Sequence, residues 1–211
     1  MKENIQLYTS ANHFIDMREI DDSSIIVDAG ACWGGFIEGL REHENGKNCR
    51  VIAIECEKYN IRKLKERNYH NVTVCEKALV GQDFDDKPVF YQIAGYTQWG
   101  NFYKKHPGDF AEIKEYEVET LKINDIFSVF DIKWIDFLKM DIEGSEGDIL
   151  KTMTEETAVK IGQMSIEVHD WDGFLSVSDV IERLGDLGFS AFTPNKGKAE
   201  VYGKRERLEK R

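Results

Sequence analysis

Acidic side chains stand directly behind β-branched apolar runs at several points of this chain, and glycines follow the first of them. In Ile25-Ile26-Val27-Asp28-Ala29-Gly30-Ala31-Cys32-Trp33-Gly34 an aspartate precedes a G-x-x-x-G turn. Glu55 follows Val51-Ile52-Ala53-Ile54, with Glu57 close behind. Asp141-Ile142-Glu143-Gly144-Ser145-Glu146 gathers three acids in one short stretch, and His169 follows Ile166-Glu167-Val168. A carboxylate beside bare glycine backbone and a helix N-terminus can receive the polar end of a ligand. The turn lacks the middle glycine of G-x-G-x-x-G, so it does not read as a pyrophosphate cradle. An aspartate ahead of G-x-x-x-G better suits a cofactor without phosphates, such as S-adenosylmethionine, whose ammonium group a carboxylate can meet.

The other acids divide by role. Glu55 stands roughly 20 residues beyond the glycine turn, where a ribose-binding acid is expected. Glu57 competes for that role if the strand runs longer, and a plain surface acid at a strand end is the bland alternative. Crowded carboxylates repel unless a cation, a proton or a helix N-terminus offsets them. Glu146 fits a helix-dipole role, whereas Asp141 should face the crevice, where a cationic sulfonium donor would suit it. His169 could act as a general base because imidazole titrates near neutrality, although a lone histidine is more often structural. Asp141, Glu143 and His169 could instead hold magnesium or calcium, but their spacing does not establish this, and no metal is expected.

Strands and helices must position these groups. Ile25–Ala29, Val51–Ile54, Val72–Cys75, Trp134–Met140 and Met164–Val168 read as buried strands. The helical stretches between them call for parallel pairing with right-handed crossovers. Ligands in such sheets gather at the carboxyl ends of the strands, where Asp28, Glu55, Ala78, Asp141 and His169 stand. Ser145 with Asp148, and Ser176 with Asp179, read as capping boxes, and Asn124 reads as the cap of a short helix through Phe130. Residues 1–22 suggest a short helix lying over the sheet edge or the ligand. The stretch from about 83 to 116, glycine- and aromatic-rich around Tyr96–Tyr103, reads as a long loop after a short strand at Val89–Tyr91. Glu117–Leu121 alternates like an exposed strand, and Phe189–Phe192 with Ala199–Tyr202 suit a closing hairpin around Asn195 and Gly197. The expected organisation is a segment at 1–22, one domain over 23–203 and a basic tail at 204–211.

Composition narrows the function classes. The 211 residues are 41% hydrophobic, which suits one globular α/β domain. No apolar run approaches the roughly 20 residues that span a bilayer. A net charge of -11 argues against binding a phosphate backbone. Cys32, Cys49, Cys56 and Cys75 form no C-x-x-C pair, so reduced thiols in a cytoplasmic protein are expected.

Val27-Asp28-Ala29-Gly30-Ala31-Cys32-Trp33-Gly34 resembles the first motif of class I S-adenosylmethionine-dependent methyltransferases. Lys139-Met140-Asp141-Ile142-Glu143-Gly144-Ser145-Glu146, with Ile149-Leu150 and Ile166-Glu167-Val168-His169, resembles the FkbM family within that class. The resemblance runs from about Ile25 to His169. It implies a Rossmann-like α/β sheet, mostly parallel with an antiparallel C-terminal hairpin and helices on both faces. It also implies methyl transfer, usually to a hydroxyl of a sugar, polyketide or similar small molecule. Position by position, Asp28, Gly30, Trp33 and Gly34 would hold the methionine end and Glu55 the ribose. Ala78 and Leu79 would lie by the adenine, and Asp141 would face the reaction crevice. One departure is Cys56-Glu57-Lys58, where the family often has prolines after its ribose-binding acid. On this reading Asp141 or His169 takes the hydroxyl proton. A nicotinamide-dependent oxidoreductase and a non-catalytic cofactor-binding protein are the rivals. The acceptor itself and the oligomeric state are not legible.

Overall fold

The computed structural model describes residues 6–103, 112–170, 175–195 and 199–206. In chain order the strands and helices begin with β1 (Tyr8–Ser10), β2 (His13–Ile15), β3 (Ile25–Ala29), α1 (Gly35–Glu42), β4 (Arg50–Ile54) and α2 (Lys58–Glu66). Then come β5 (Val72–Cys75), β6 (Ala78–Val80), β7 (Val89–Ile93), β8 (Tyr96–Asn101), β9 (Ile113–Glu117), β10 (Thr120–Lys122) and α3 (Ile126–Phe130). The remainder is β11 (Ile135–Met140), α4 (Glu146–Thr152), α5 (Glu155–Ala158), β12 (Ile161–Glu167), α6 (Val177–Asp186), β13 (Ser190–Phe192) and β14 (Glu200–Lys204).

Seven strands form the central sheet in the order β13-β14-β12-β11-β3-β4-β5. β12, β11, β3, β4 and β5 run parallel, and β14 runs against both of its neighbours. Alternation along the strands supplies two cores, one on each face. Val27, Ala29, Ile52, Ile54, Leu138 and Met140 pack on one side against α4 and α6 residues such as Ile149, Val180 and Leu184. Ile26, Val51, Ala53 and Phe137 pack on the other against Phe36, Ile37 and Leu40 of α1. A parallel sheet covered on both faces therefore appears as predicted, with β13 and β14 as the C-terminal hairpin. Gly197 of its predicted turn lies outside the described residues.

Four expectations need correcting. Residues 8–15 form a β-hairpin instead of a helix, because Ala11 and Asn12 take left-handed φ values of 45° and 69° that suit a two-residue turn. That hairpin is fastened to β12: Ser165 Oγ accepts from the Phe14 amide and Gln163 Oε1 from the Asp16 amide. The stretch read as a loop holds a three-stranded antiparallel sheet, β8-β7-β9, with an irregular register between Tyr91 and Ile93. The strand read at 117–121 is broken, and β10 instead pairs in parallel with β6. The Ser176–Asp179 capping box is present, but Ser145 and Asn124 cap nothing. Asn124 instead accepts from the Thr154 amide and donates to the Thr152 carbonyl. Of the basic tail, Lys204 closes β14 and pairs with Asp16 and Glu19, while 207–211 lie outside the described residues.

Candidate active site

The turn after β3 is held shut from three sides. The amides of Gly30 and Ala31 both donate to the Ile54 carbonyl, at 3.0 and 3.1 Å. Gly30 has φ +74°, and a Cβ there would lie 1.8 Å from the Asp141 carbonyl oxygen, so only glycine lets β3 and β11 end this close together. Gly34 has φ +88° and opens α1 as its N-terminal flanking residue. Below the turn, Lys139 of β11 is buried with its ammonium 3.0 Å from Asp28 Oδ1, and it donates to the Gly30 carbonyl at 2.8 Å. Burial opposes that charge, but Asp28 and Asp141 hold Lys139 protonated above the usual lysine range. Asp28 is therefore fully buried beneath the turn, and it does not line the cavity as a partner for a ligand's ammonium would.

Above the strand ends lies a cavity of about 460 Å³. On the β4 side it is lined by Gly30, Ile54, Glu55, Cys56, Glu57, Ala78 and Leu79. Glu55 Oε2 accepts from the Cys32 amide at 2.8 Å, and Oε1 accepts from the amides of Cys56 and Glu57 at 2.9 and 2.8 Å. Burial pushes the Glu55 carboxyl up to about 6, against the pull of those three amides. Glu57 is committed to α2, where its Oε2 accepts from the Asn60 amide at 2.7 Å. That leaves Glu55 as the acid fixed against the glycine turn. Trp33 is 39% exposed and opens instead on an adjoining recess with His13, Lys139 and Asp141. Its Nε1 donates to Asn60 Oδ1, and Asn60 Nδ2 donates to the Thr97 carbonyl of β8. Through these bonds β8 is drawn over the site, and Thr97, Gln98 and Trp99 line the cavity. Tyr96 is more outlying, stacked on Trp99 at 5.0 Å.

The β11–β12 side of the cavity is an acidic wall of Asp141, Glu143 and Glu167, with Ser145. Asp141 Oδ2 lies 3.5 Å from His13 Nε2 and 3.8 Å from Lys139 Nζ. Burial raises the Asp141 carboxyl, but Lys139 and His13 outweigh it and hold the group well below the usual carboxylate range. Glu143 has φ 54° and is followed by Gly144 at φ 106°. Burial pushes its carboxyl up to about 8, although His169 works the other way. Glu146 is buried and accepts from the amides of Ile142 and Gly144, both at 2.9 Å, so it fastens this loop as well as opening α4. His169 sits behind the wall, Nδ1 3.0 Å from Glu146 Oε1 and Nε2 3.5 Å from Glu143 Oε2. Burial disfavours its charge, but Glu146 and Glu143 raise it to about 10. An imidazolium cannot serve as a general base at neutral pH, so that role for His169 conflicts with its surroundings.

The sequence matches the model of the methyltransferase FkbM domain over residues 28–191. The chain belongs to the FkbM methyltransferase domain family. A solved FkbM methyltransferase from Methylobacillus flagellatus aligns with a TM-score of 0.53 at 21% identity, covering 87% of this chain. This chain spans only 44% of that protein. A putative rRNA methylase from Clostridium thermocellum aligns with a TM-score of 0.50 at 10% identity, covering 90% of this chain and 91% of its own. These likenesses establish the class I methyltransferase fold. No curated protein sequence matches the chain.

Within this FkbM domain, sequence reasoning missed two central residues. Lys139 carried a signal, since a lysine between Leu138 and Met140 in a buried strand demands an acidic partner. His13 carried none. It is brought to Asp141 only by the hairpin, and its Nδ1 lies 3.0 Å from Glu200 Oε1, which also accepts from Ser165 Oγ. Burial lowers the His13 imidazole, but its hydrogen bonds to Asp141 and Glu200 raise it overall.

Proposed function

We propose that this chain transfers a methyl group from S-adenosylmethionine to a hydroxyl of a small molecule or sugar. One observation carries the reading: a single cavity runs from Glu55 past the Gly30 turn to Asp141, Glu143 and Glu167. The residues fit an adenosyl sulfonium compound. Glu55 offers carboxylate oxygens for ribose hydroxyls, Ala78 and Leu79 give an apolar slot for adenine, and Gly30 lets β3 and β11 end close together at the turn between the two ends of the cavity. The acids of the β11–β12 wall complement a positive centre. Bound there, the donor supplies an electrophilic methyl group on a cationic sulfur.

The chain's own contribution is alignment, which can be worth about 7–11 kcal/mol in a two-reactant step. Asp141, ionised and steadied by Lys139 and His13, accepts a hydrogen bond from the acceptor hydroxyl and orients it toward the methyl group. β8 lines the same cavity with Gln98 and Trp99. We place the protein in the cytoplasm, because its four cysteines are unpaired. A small-molecule acceptor fits this acidic cavity better than a nucleic acid.

Isothermal titration with S-adenosylhomocysteine, followed by methyl-transfer assays on a panel of hydroxylated acceptors, tests the proposal. We expect binding that Glu55→Ala weakens, and turnover that Asp141→Asn reduces. No heat of binding would remove the proposal. Binding without transfer to any acceptor would favour a non-catalytic cofactor-binding role.

A further inference from the structure

Three ligand-bearing side chains converge where β11 and β12 end. One carboxylate oxygen each of Asp141 and Glu167 and one ring nitrogen of His169 all lie within 4.8 Å of one another. We propose that Asp141, Glu167 and His169 form a site for a six-coordinate, oxygen-preferring divalent cation, magnesium or manganese. This goes beyond the methyl-transfer reading and does not depend on it.

Several observations support a cation here. Such an ion sits about 2.1 Å from its ligands, so neighbouring ligand atoms end roughly 3 Å apart. Asp141, Glu167 and His169 are all partly open, so modest side-chain movement closes the gap. Glu146 bonds His169 Nδ1 at 3.0 Å and is itself anchored by two backbone amides. That is the arrangement by which a second carboxylate fixes a metal-binding imidazole through Nδ1, and coordination through Nε2 requires the ion to displace the Nε2 proton and its 3.5 Å contact with Glu143. Ser145 provides an independent sign. The residue is 1% exposed, its Oγ approaches the Tyr103 hydroxyl but makes no well-formed hydrogen bond among the described residues, and it lines the same wall. A buried hydroxyl without a well-formed bond is costly, and an ion's water shell would satisfy it. The lining also holds five acids, Glu55, Glu57, Asp141, Glu143 and Glu167, against Lys77 alone among the described lining cations. Lys139, shared between Asp28 and Asp141, offsets only part of that charge.

A second grouping, His13, Glu167 and Glu200, is the poorer candidate. His13 and Glu200 are buried and already bonded to each other, so an ion there would have to break that pair. Three protein ligands at the Asp141 site leave coordination positions open for water or for an oxygen of the acceptor.

Electron paramagnetic resonance titration of the chelator-treated full chain with Mn²⁺ tests this without cofactor or acceptor. We expect one site per chain, displaced by Mg²⁺ and weakened at least about tenfold in both Glu167→Gln and His169→Gln. Glu57→Gln, on the far side of the same cavity, should bind as the native chain does. Melting curves confirm that each variant is folded. Mn²⁺ affinity no tighter than millimolar in the native chain, or unchanged affinity in both folded variants, would overturn the proposal. Titration with S-adenosylhomocysteine alone reports on the methyl-transfer reading separately.

Discussion

Replacing Lys139 by methionine tests the foundation of the site. The substitution keeps the stem and removes the ammonium, leaving Asp28 buried with no cation beside it. Taking one partner from a buried ion pair costs about 3–5 kcal/mol. The carbonyls of Gly30 and Ala29 also lose a donor, worth about 1 kcal/mol each. Together these come to about 5–7 kcal/mol, and at roughly 2–4 °C per kcal/mol for a chain of this size the melting temperature should fall by about 10–28 °C. Urea denaturation followed by circular dichroism measures the loss directly. The double variant Asp28→Asn/Lys139→Met removes both charges and should recover at least about 1.5 kcal/mol relative to Lys139→Met. Below its melting point the Lys139→Met chain should bind S-adenosylhomocysteine about tenfold more weakly, because the turn loses its fastening at the Gly30 carbonyl. If Lys139→Met costs under about 1 kcal/mol, or the two substitutions simply add, Asp28 is not the counter-ion of Lys139. A direct role for Asp28 toward the ligand would then return.

Glu55 makes stability depend on pH. Its carboxyl is raised in the folded state from 4.5 to about 6, so the folded chain binds more protons across that window. Stability of the ligand-free protein should therefore fall by about 2 kcal/mol as pH rises from 4.5 through 6. Glu55→Gln should abolish that part of the slope when the two are compared by denaturant titration. Gly30→Ala, facing the Asp141 carbonyl at 1.8 Å, should cost at least about 3 kcal/mol and abolish measurable cofactor binding in calorimetry. By contrast, Gly185 lies inside α6 with nothing within 4 Å of an added Cβ, so Gly185→Ala should stabilise by about 0.5–1 kcal/mol in the same melts. Ser176→Ala removes the capping box of α6 and should cost about 1 kcal/mol.

Most of the central sheet was legible because its strands are buried on both faces, and continuous β-branched runs such as Ile25–Val27 record that. The hairpin at 8–15 was not, since its three-residue strands are stabilised by Ser165 and Gln163, far away in sequence. The β8-β7-β9 sheet was hidden by its irregular register and by aromatic residues that pack locally, Phe90 on Phe102 and on Tyr116. Asp28 shows the subtler limit. Its place at the end of a strand was correct, but β3 runs on to Ala29, so Asp28 stays within the ladder. There it is the register partner of Lys139 across the β3–β11 pair. Only the register reveals that this aspartate is spent on a lysine.

That distinction determines what kind of occupant the cavity can take. With Asp28 neutralised below the turn, the acids that remain in the cavity are met by cations only where Lys139 and His13 steady Asp141, where His169 approaches Glu143, and at Lys77 on the lining. The strand order puts Glu55 on one side of Gly30 and Asp141 and Glu167 on the other, so the negative charge is spread along the cavity's length. A dinucleotide would bring two phosphates into that field and be repelled, whatever its fit to the sheet. A molecule with a ribose at one end and a positive sulfur beyond the turn meets hydrogen-bond acceptors first and charge second. The same field would draw a divalent cation to Asp141, Glu167 and His169.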